Sequence, residues 1–308
     1  MTGSQNTKFN ELVLVLQDMK ETGGICNTKE AGGIRYKKET GGFRYKKETG
    51  GFRYWMGKLG ALWFLFIFCL LFLIQYPAYW LLLRSPKGYP AVNQMRRIWA
   101  KVLFGLTGVG WRLERLPGSQ VKGPCVFCAN HHSYIDIPLM ALAANNYYHF
   151  MAKAELLDIP VFRLFFQTID IPVPREKKIG AHEAFIKASE WLQKGDSLVV
   201  FPEGGILPNP PLPKAFRMGA FRAAVDANVP IIPVSLHNSW RVMSDEAWPR
   251  YRWGRCRVVC HPALYPADYD FNEKKLAEVT RTIIIQSIEQ HDEHRQRNHP
   301  TRSPLGTA

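Results

Sequence analysis

Acidic residues are scarce in this chain: 26 against 40 lysines and arginines over 308 residues, a formal charge of +14. That imbalance points to an anionic partner, whether a membrane surface, a nucleic acid or a phosphorylated substrate. Cysteine is also sparse, with six residues in all, which excludes a small secreted domain held together by disulfides. What is abundant is apolar: 46% hydrophobic residues and 13% aromatics exclude a wholly disordered chain. The length suits one large domain or two small ones.

The first 55 residues differ from the rest. Four nine-residue units begin at Lys20, Lys29, Lys38 and Lys47, each with a Gly-Gly pair and one or two apolar residues. So short and polar a repeat cannot build a solenoid core. Residues 1–55 are therefore expected to form a flexible, basic, low-complexity tail. A basic-aromatic nucleic-acid tether is the sharper alternative. Met56 directly precedes a hydrophobic run and is an alternative start of translation.

That run, Leu59 to Leu83, is interrupted by Gln75 and Pro77. As one helix its 25 residues would reach about 37 Å, beyond the ~30 Å hydrocarbon core of a bilayer. The clean part, Leu59 to Ile74, reaches only about 24 Å. The segment is thus expected either to span with a kink or to dip in and turn back. Basic residues flank both ends (Lys58 and Arg53; Arg84 and Lys87), so charge does not orient it. From Val92, apolar residues recur through Met95, Ile98, Trp99, Val102, Leu103 and Leu106. This predicts an amphipathic interfacial helix with Arg96, Arg97 and Lys101 available to lipid headgroups. Residues 56–115 then form a membrane-anchoring region.

From about Leu116 the pattern alternates between strands and helices. Strands are predicted at Cys125–Ala129, Ser197–Phe201, from Ile231, and at Arg255–His261. Helices are predicted at Ile135–Ala144, Ala181–Lys194 and Gly219–Ala227, with a last one after Asn272. This is an α/β fold, a mainly parallel sheet flanked by helices, over residues 116–290. Residues 291–308, with His291, His294 and His299, read as a flexible C-terminal tail. Reactive loops in such sheets lie beyond the C-terminal strand ends.

Two motifs sit at such ends. Asn130 to Asp136 reads N-H-H-S-Y-I-D. A strand-to-helix turn can set His131 beside Asp136, so that the carboxylate fixes the imidazole tautomer and leaves the other nitrogen to take a proton. The same Ser133-x-x-Asp136 spacing is a capping box, which needs no catalysis. Phe201 to Gly205 reads F-P-E-G-G, offering a carboxylate and exposed backbone N–H groups to a polar headgroup, or simply a turn. A zinc site at the Cys125-x-x-Cys128 pair is disfavoured, because strand residues three apart point to opposite faces.

These motifs resemble those of the glycerolipid acyltransferases, specifically the 1-acyl-sn-glycerol-3-phosphate acyltransferases. The family's N-H-x-x-x-x-D block matches Asn130–Asp136. K-x-E-L-x-x-x-P is matched by Lys153, Glu155, Leu156 and Pro160. A block ending in arginine is matched by Ile171 to Arg175, F-P-E-G by Phe201–Gly204, and V-P-I-x-P-V by Val229–Val234. All five occur in family order over roughly Leu116 to Leu264, about half the chain. The resemblance implies acyl transfer to the sn-2 hydroxyl of 1-acyl-sn-glycerol 3-phosphate from acyl-CoA or acyl-carrier protein. His131 and Asp136 would be catalytic. Lys153, Arg175, Glu203, Gly204 and Arg217 would bind substrate. No metal, cofactor or nucleic acid is expected. The partners are membrane lipids and the acyl donor, and the catalytic domain is expected at a membrane's cytoplasmic face.

One departure stands out. The family usually continues F-P-E-G as Thr-Arg-Ser, but here Gly205, Ile206 and Leu207 follow. The arginine that commonly helps hold the phosphate is missing, and Arg217 is the nearby candidate to replace it. Another lysophospholipid or an amino-acid lyso-lipid is the alternative acceptor. A non-catalytic membrane or nucleic-acid binding protein is the alternative of a different class.

Overall fold

Three strands with almost no polar side chains set the centre of the molecule. β2 (Val126–Ala129), β5 (Ser197–Val200) and β6 (Ile231–His237) are buried at every position, as parallel strands covered on both faces must be. The computed structural model describes residues 51–174, 178–206, 212–243 and 250–298. The nonapeptide repeats up to Gly50 and the motif arginine Arg175 lie outside the described residues.

Around these strands runs a seven-stranded sheet in the order β1-β7-β6-β2-β5-β3-β4. The other strands are β1 (Gly110–Arg115), β3 (Tyr148–Lys153), β4 (Ile171–Val173) and β7 (Arg255–Cys260). All neighbours pair parallel except β6 and β7. The expected mainly parallel sheet flanked by helices is present. Sequence reading missed β1, β3 and β4. β1 and β4 are edge strands with one partner each. β1 alternates apolar and charged residues, and β4 has three residues, too few to show a period. β3 carries a polar His149 that is buried because Asp196 and the Ile169 carbonyl meet both its nitrogens.

Among the described residues there are eight α-helices, besides three short 3-10 turns. α1 (Phe52–Leu82) and α2 (Tyr89–Thr107) precede the sheet. α3 (Asp136–Ala143) follows β2, α4 (Pro160–Phe166) follows β3, and α5 (Lys178–Gln193) follows β4. α6 (Gly219–Asp226), the four-residue α7 (Ser239–Val242) and α8 (Glu273–Asn298) follow in turn. α8 continues past the predicted end of the domain, and His291 on it contacts the amide of Asn238 at 3.0 Å. The predicted tail thus begins inside a packed helix.

α1 runs through Gln75 and Pro77 as one helix, so the interruption of the apolar run does not end it. Tertiary packing carries the helix across the proline. Tyr79 is buried, its ring 5.0 Å from Phe165 on α4, and its hydroxyl donates to Gln75 Oε1 at 2.8 Å. The helix begins at Phe52, four residues before the predicted boundary. At the other end of the sheet, Ala61, Phe64 and Ile67 pack with Trp99, Ala100 and Leu103 of α2.

Two basic residues expected at lipid headgroups are instead bound to protein. Arg96 is buried and pairs with Asp170 through both guanidinium nitrogens. Arg97 donates to the carbonyls of Ala144 and Asn146 at 2.9 and 2.8 Å. Burial of the pair costs desolvation, which the bidentate geometry offsets. Of the three, only Lys101 is exposed.

Candidate active site

β2 and β5 are parallel neighbours, with Cys128 level with Val200. The loops beyond their ends therefore emerge side by side, which brings Asn130–Asp136 against Phe201–Gly205. The backbone N–H of His131 donates to Glu203 Oε1 at 2.8 Å, and that of Lys214 donates to Oε2 at 3.3 Å. The Phe201 ring stacks on the His131 imidazole at 4.1 Å between centroids.

Asp136 opens α3 and is fully buried. Its Oδ2 accepts from His131 Nδ1 at 3.0 Å and from the backbone N–H of His132 and Ser133 at 2.7 and 2.8 Å. A carboxylate only accepts, so His131 Nδ1 carries a hydrogen and Nε2 is left as the acceptor. Half of the predicted capping box is formed here, the carboxylate reaching back to the Ser133 N–H. The Ser133 hydroxyl does something else: it donates to the Met243 carbonyl at 2.8 Å. The capping and tautomer-fixing readings of Asp136 describe one carboxylate doing both.

Asn130 extends the sheet. Its Nδ2 donates to the Leu236 carbonyl at 3.0 Å and its Oδ1 accepts from the Leu236 N–H at 2.8 Å, clamping the loop to β6. His132 is buried with Nδ1 3.0 Å from Asn130 Nδ2, and desolvation holds its pKa below the usual histidine range. Burial likewise pushes the Glu203 carboxyl up to about 7, against the pull of its two backbone donors.

Glu203 and Gly204 occupy a tight turn, closed by the Gly204 N–H on the Phe201 carbonyl at 3.0 Å. Gly204 has φ +78°, and a Cβ there would lie 2.5 Å from Arg217 Nε. The left-handed backbone favours glycine here, and the flexible Arg217 side chain lies over it. Arg217 is exposed, and its side chain has no ion pair among the described residues. Its backbone N–H is fixed to the Pro202 carbonyl at 2.9 Å. Ile206, where the arginine is missing, is half-buried.

Among the predicted substrate residues, Lys153 ends β3 and pairs with Glu155 at 3.1 Å. The Glu203 carboxylate turns inward to backbone amides rather than outward to a ligand. Sequence reading missed the stacking of Phe201 on His131, although the motif contained it, and the support of Ser133 by Met243, which no local pattern signals.

The site thus combines a mainly parallel α/β sheet with a His–Asp pair at one strand end and a glycine-arginine turn at the next. Residues 112–237 match the model of the Acyltransferase family. The chain is 29% identical over 177 residues to a chloroplastic 1-acyl-sn-glycerol-3-phosphate acyltransferase of Brassica napus, covering 57% of this chain and 49% of that protein. It is 28% identical over 214 residues to the 1-acyl-sn-glycerol-3-phosphate acyltransferase of Haemophilus influenzae, covering 60% of this chain and 82% of that one. It thus spans about half the length of the plant relatives it matches. The fold is that of the crystal structure of the 1-acyl-sn-glycerophosphate acyltransferase PlsC from Thermotoga maritima. The TM-score is 0.67 at 23% identity, covering 78% of this chain and 98% of the other.

Proposed function

We propose that this protein transfers an acyl chain from acyl-CoA or acyl-carrier protein to the sn-2 hydroxyl of 1-acyl-sn-glycerol 3-phosphate, making phosphatidic acid. The observation that carries this reading is the His131–Asp136 pair, whose tautomer leaves Nε2 as the acceptor. Nε2 takes the hydroxyl proton as the oxygen attacks the thioester carbonyl. The tetrahedral intermediate then expels the thiolate, which recovers the proton from the imidazolium. Asp136 stabilises that cation. Glu203 positions His131 through its backbone N–H. The exposed Arg217 guanidinium on Gly204 supports a phosphate headgroup as the acceptor's anchor. Ile206 favours the second reading, an acceptor without a phosphomonoester.

The membrane reading rests on α1, a helix long and apolar enough to cross a bilayer. One side of it is packed along its length, at Gly60 against Tyr251 and at Tyr79 against Phe165. The other side is an exposed apolar stripe through Trp55, Leu59, Leu62, Phe66, Leu73 and Leu81. A helix bound lengthwise to its own domain lies in the interface with that stripe in the acyl region. Arg84, 3.4 Å over the Trp80 ring, suits the headgroup level at its end.

The test is turnover by the purified full chain on lysophosphatidic acid and neutral or zwitterionic lysolipids, with both donor types. His131→Ala should lower acyl transfer about 10²-fold or more, and His132→Ala much less. Equal losses at the two histidines, or near-normal activity without His131, would refute the assignment.

A further inference from the structure

The exposed apolar surface does not stop at the two helices. Trp253, in the loop entering β7, is 81% exposed. Its ring lies directly on Gly108, the left-handed C-cap of α2, where any side chain would collide with it. Two residues earlier Leu106 is 52% exposed, and its carbonyl accepts from the Trp63 indole of α1 at 3.3 Å. Trp63 is itself half exposed. Trp253, Leu106 and Trp63 therefore share one face. Trp253 is also held in place from beneath. The Tyr251 ring meets it edge-on at 5.8 Å, the Tyr251 N–H donates to the Gly57 carbonyl at 2.9 Å, and its hydroxyl donates to the Thr107 carbonyl at 2.7 Å. The Gly254 carbonyl accepts from the Gly110 N–H at 3.0 Å. Joined through Gly108 and Leu106 to Trp63, Trp253 extends an exposed apolar patch rather than standing as a lone surface residue. Its surroundings are basic: Arg252 and Arg255 flank it in the chain, Arg112 lies on the strand paired with β7, and all three are exposed.

We infer that Trp253 is a third membrane contact, inserting at the headgroup level of an anionic bilayer beside the outward faces of α1 and α2. This rests on the in-plane reading of α1 above. Tryptophan combines a large apolar body with an indole N–H that favours the wet boundary, and the arginines beside it complement anionic lipid. The Trp253 neighbourhood is also linked to the site: Tyr251 is bridged to Met243, whose carbonyl holds Ser133 of the His131 loop.

The experiment is flotation of the full chain with phosphatidylglycerol/phosphatidylcholine vesicles, with Phe66→Asp on the α1 stripe as a separate arm. Trp253→Ala should lower partitioning about tenfold, given the apolar area of one indole, while Trp253→Phe retains most of it. With vesicles of brominated acyl chains, the difference in tryptophan emission between parent and Trp253→Phe should be strongly quenched. If Phe66→Asp weakens binding but Trp253→Ala does not, or the difference emission is unquenched, the Trp253 contact is wrong and the helix reading stands. If Phe66→Asp binds like the parent, the helix reading itself fails. Neither arm depends on acyl transfer.

Discussion

Glu203 sits where a carboxylate costs most: fully buried, with two backbone N–H groups as its compensation. Its carboxyl is raised from 4.5 to about 7, burial being the largest cause. Between those values the folded state binds more protons than the unfolded one. Its contribution to stability is therefore full below pH ~4.5 and falls as pH rises to 7, by up to about 1.4 kcal/mol per unit. Buried His132, His237 and His261 act oppositely, since their lowered pKa values favour the folded state above pH ~6.5. The expected outcome is thus a difference: the Tm of the parent minus that of Glu203→Gln falls from pH 4.5 to 7. A signed difference that stays constant or rises contradicts it. At Arg217 the expectation concerns substrate. A hydrogen bond to a charged group is worth ~1.5–3 kcal/mol, so Arg217→Ala should raise the KM for lysophosphatidic acid about tenfold or more and change little for a neutral lysolipid. Ile206→Arg in that background should restore much of the loss. If only Arg175→Ala raises the KM, Arg175 carries the phosphate.

Among the elements, α1 shows how little a hydropathy profile says about orientation. Its 31 residues measure about 46 Å, ample for crossing. Yet crossing would require detaching Tyr251, Phe165 and the α2 seam from one flank. If the helix lies in plane, cysteines introduced at Gly51 and Ser85, just outside its two ends, should react from the same side of sealed vesicles with a membrane-impermeant thiol reagent. Labelling of one end only would make α1 a true span. Arg96 and Arg97 carry the same lesson for α2: an amphipathic wheel counts them as headgroup contacts, and the neighbouring chain at Asp170, Ala144 and Asn146 claims them first.

For the whole molecule, the domain's described contacts start at α1, and every motif residue lies beyond it. Removing residues 1–50 keeps Phe52 and Trp55 on the helix, whereas restarting at Met56 deletes its first turn. The shorter deletion should leave specific activity and vesicle binding within about twofold of the full chain. A well-folded truncation with a larger loss would give the nonapeptide repeats a role. The charge of +14 should make vesicle binding fall with ionic strength wherever anionic lipid supplies the attraction.

Local chemistry made several elements legible in advance. The apolar runs of β2, β5 and β6, the Asn130–Asp136 and Phe201–Gly204 turns, and the last helix after Asn272 all follow from periodicity and turn residues close in the chain. Long-range pairing decided the remainder. Nothing within the Glu203 turn says that its carboxylate will hold His131, 72 residues away; the β2–β5 register says so. Nothing near Arg96 announces Asp170, and nothing near Trp253 announces Gly108. Such contacts join segments far apart in sequence, and their worth depends on burial that exists only once the sheet has formed.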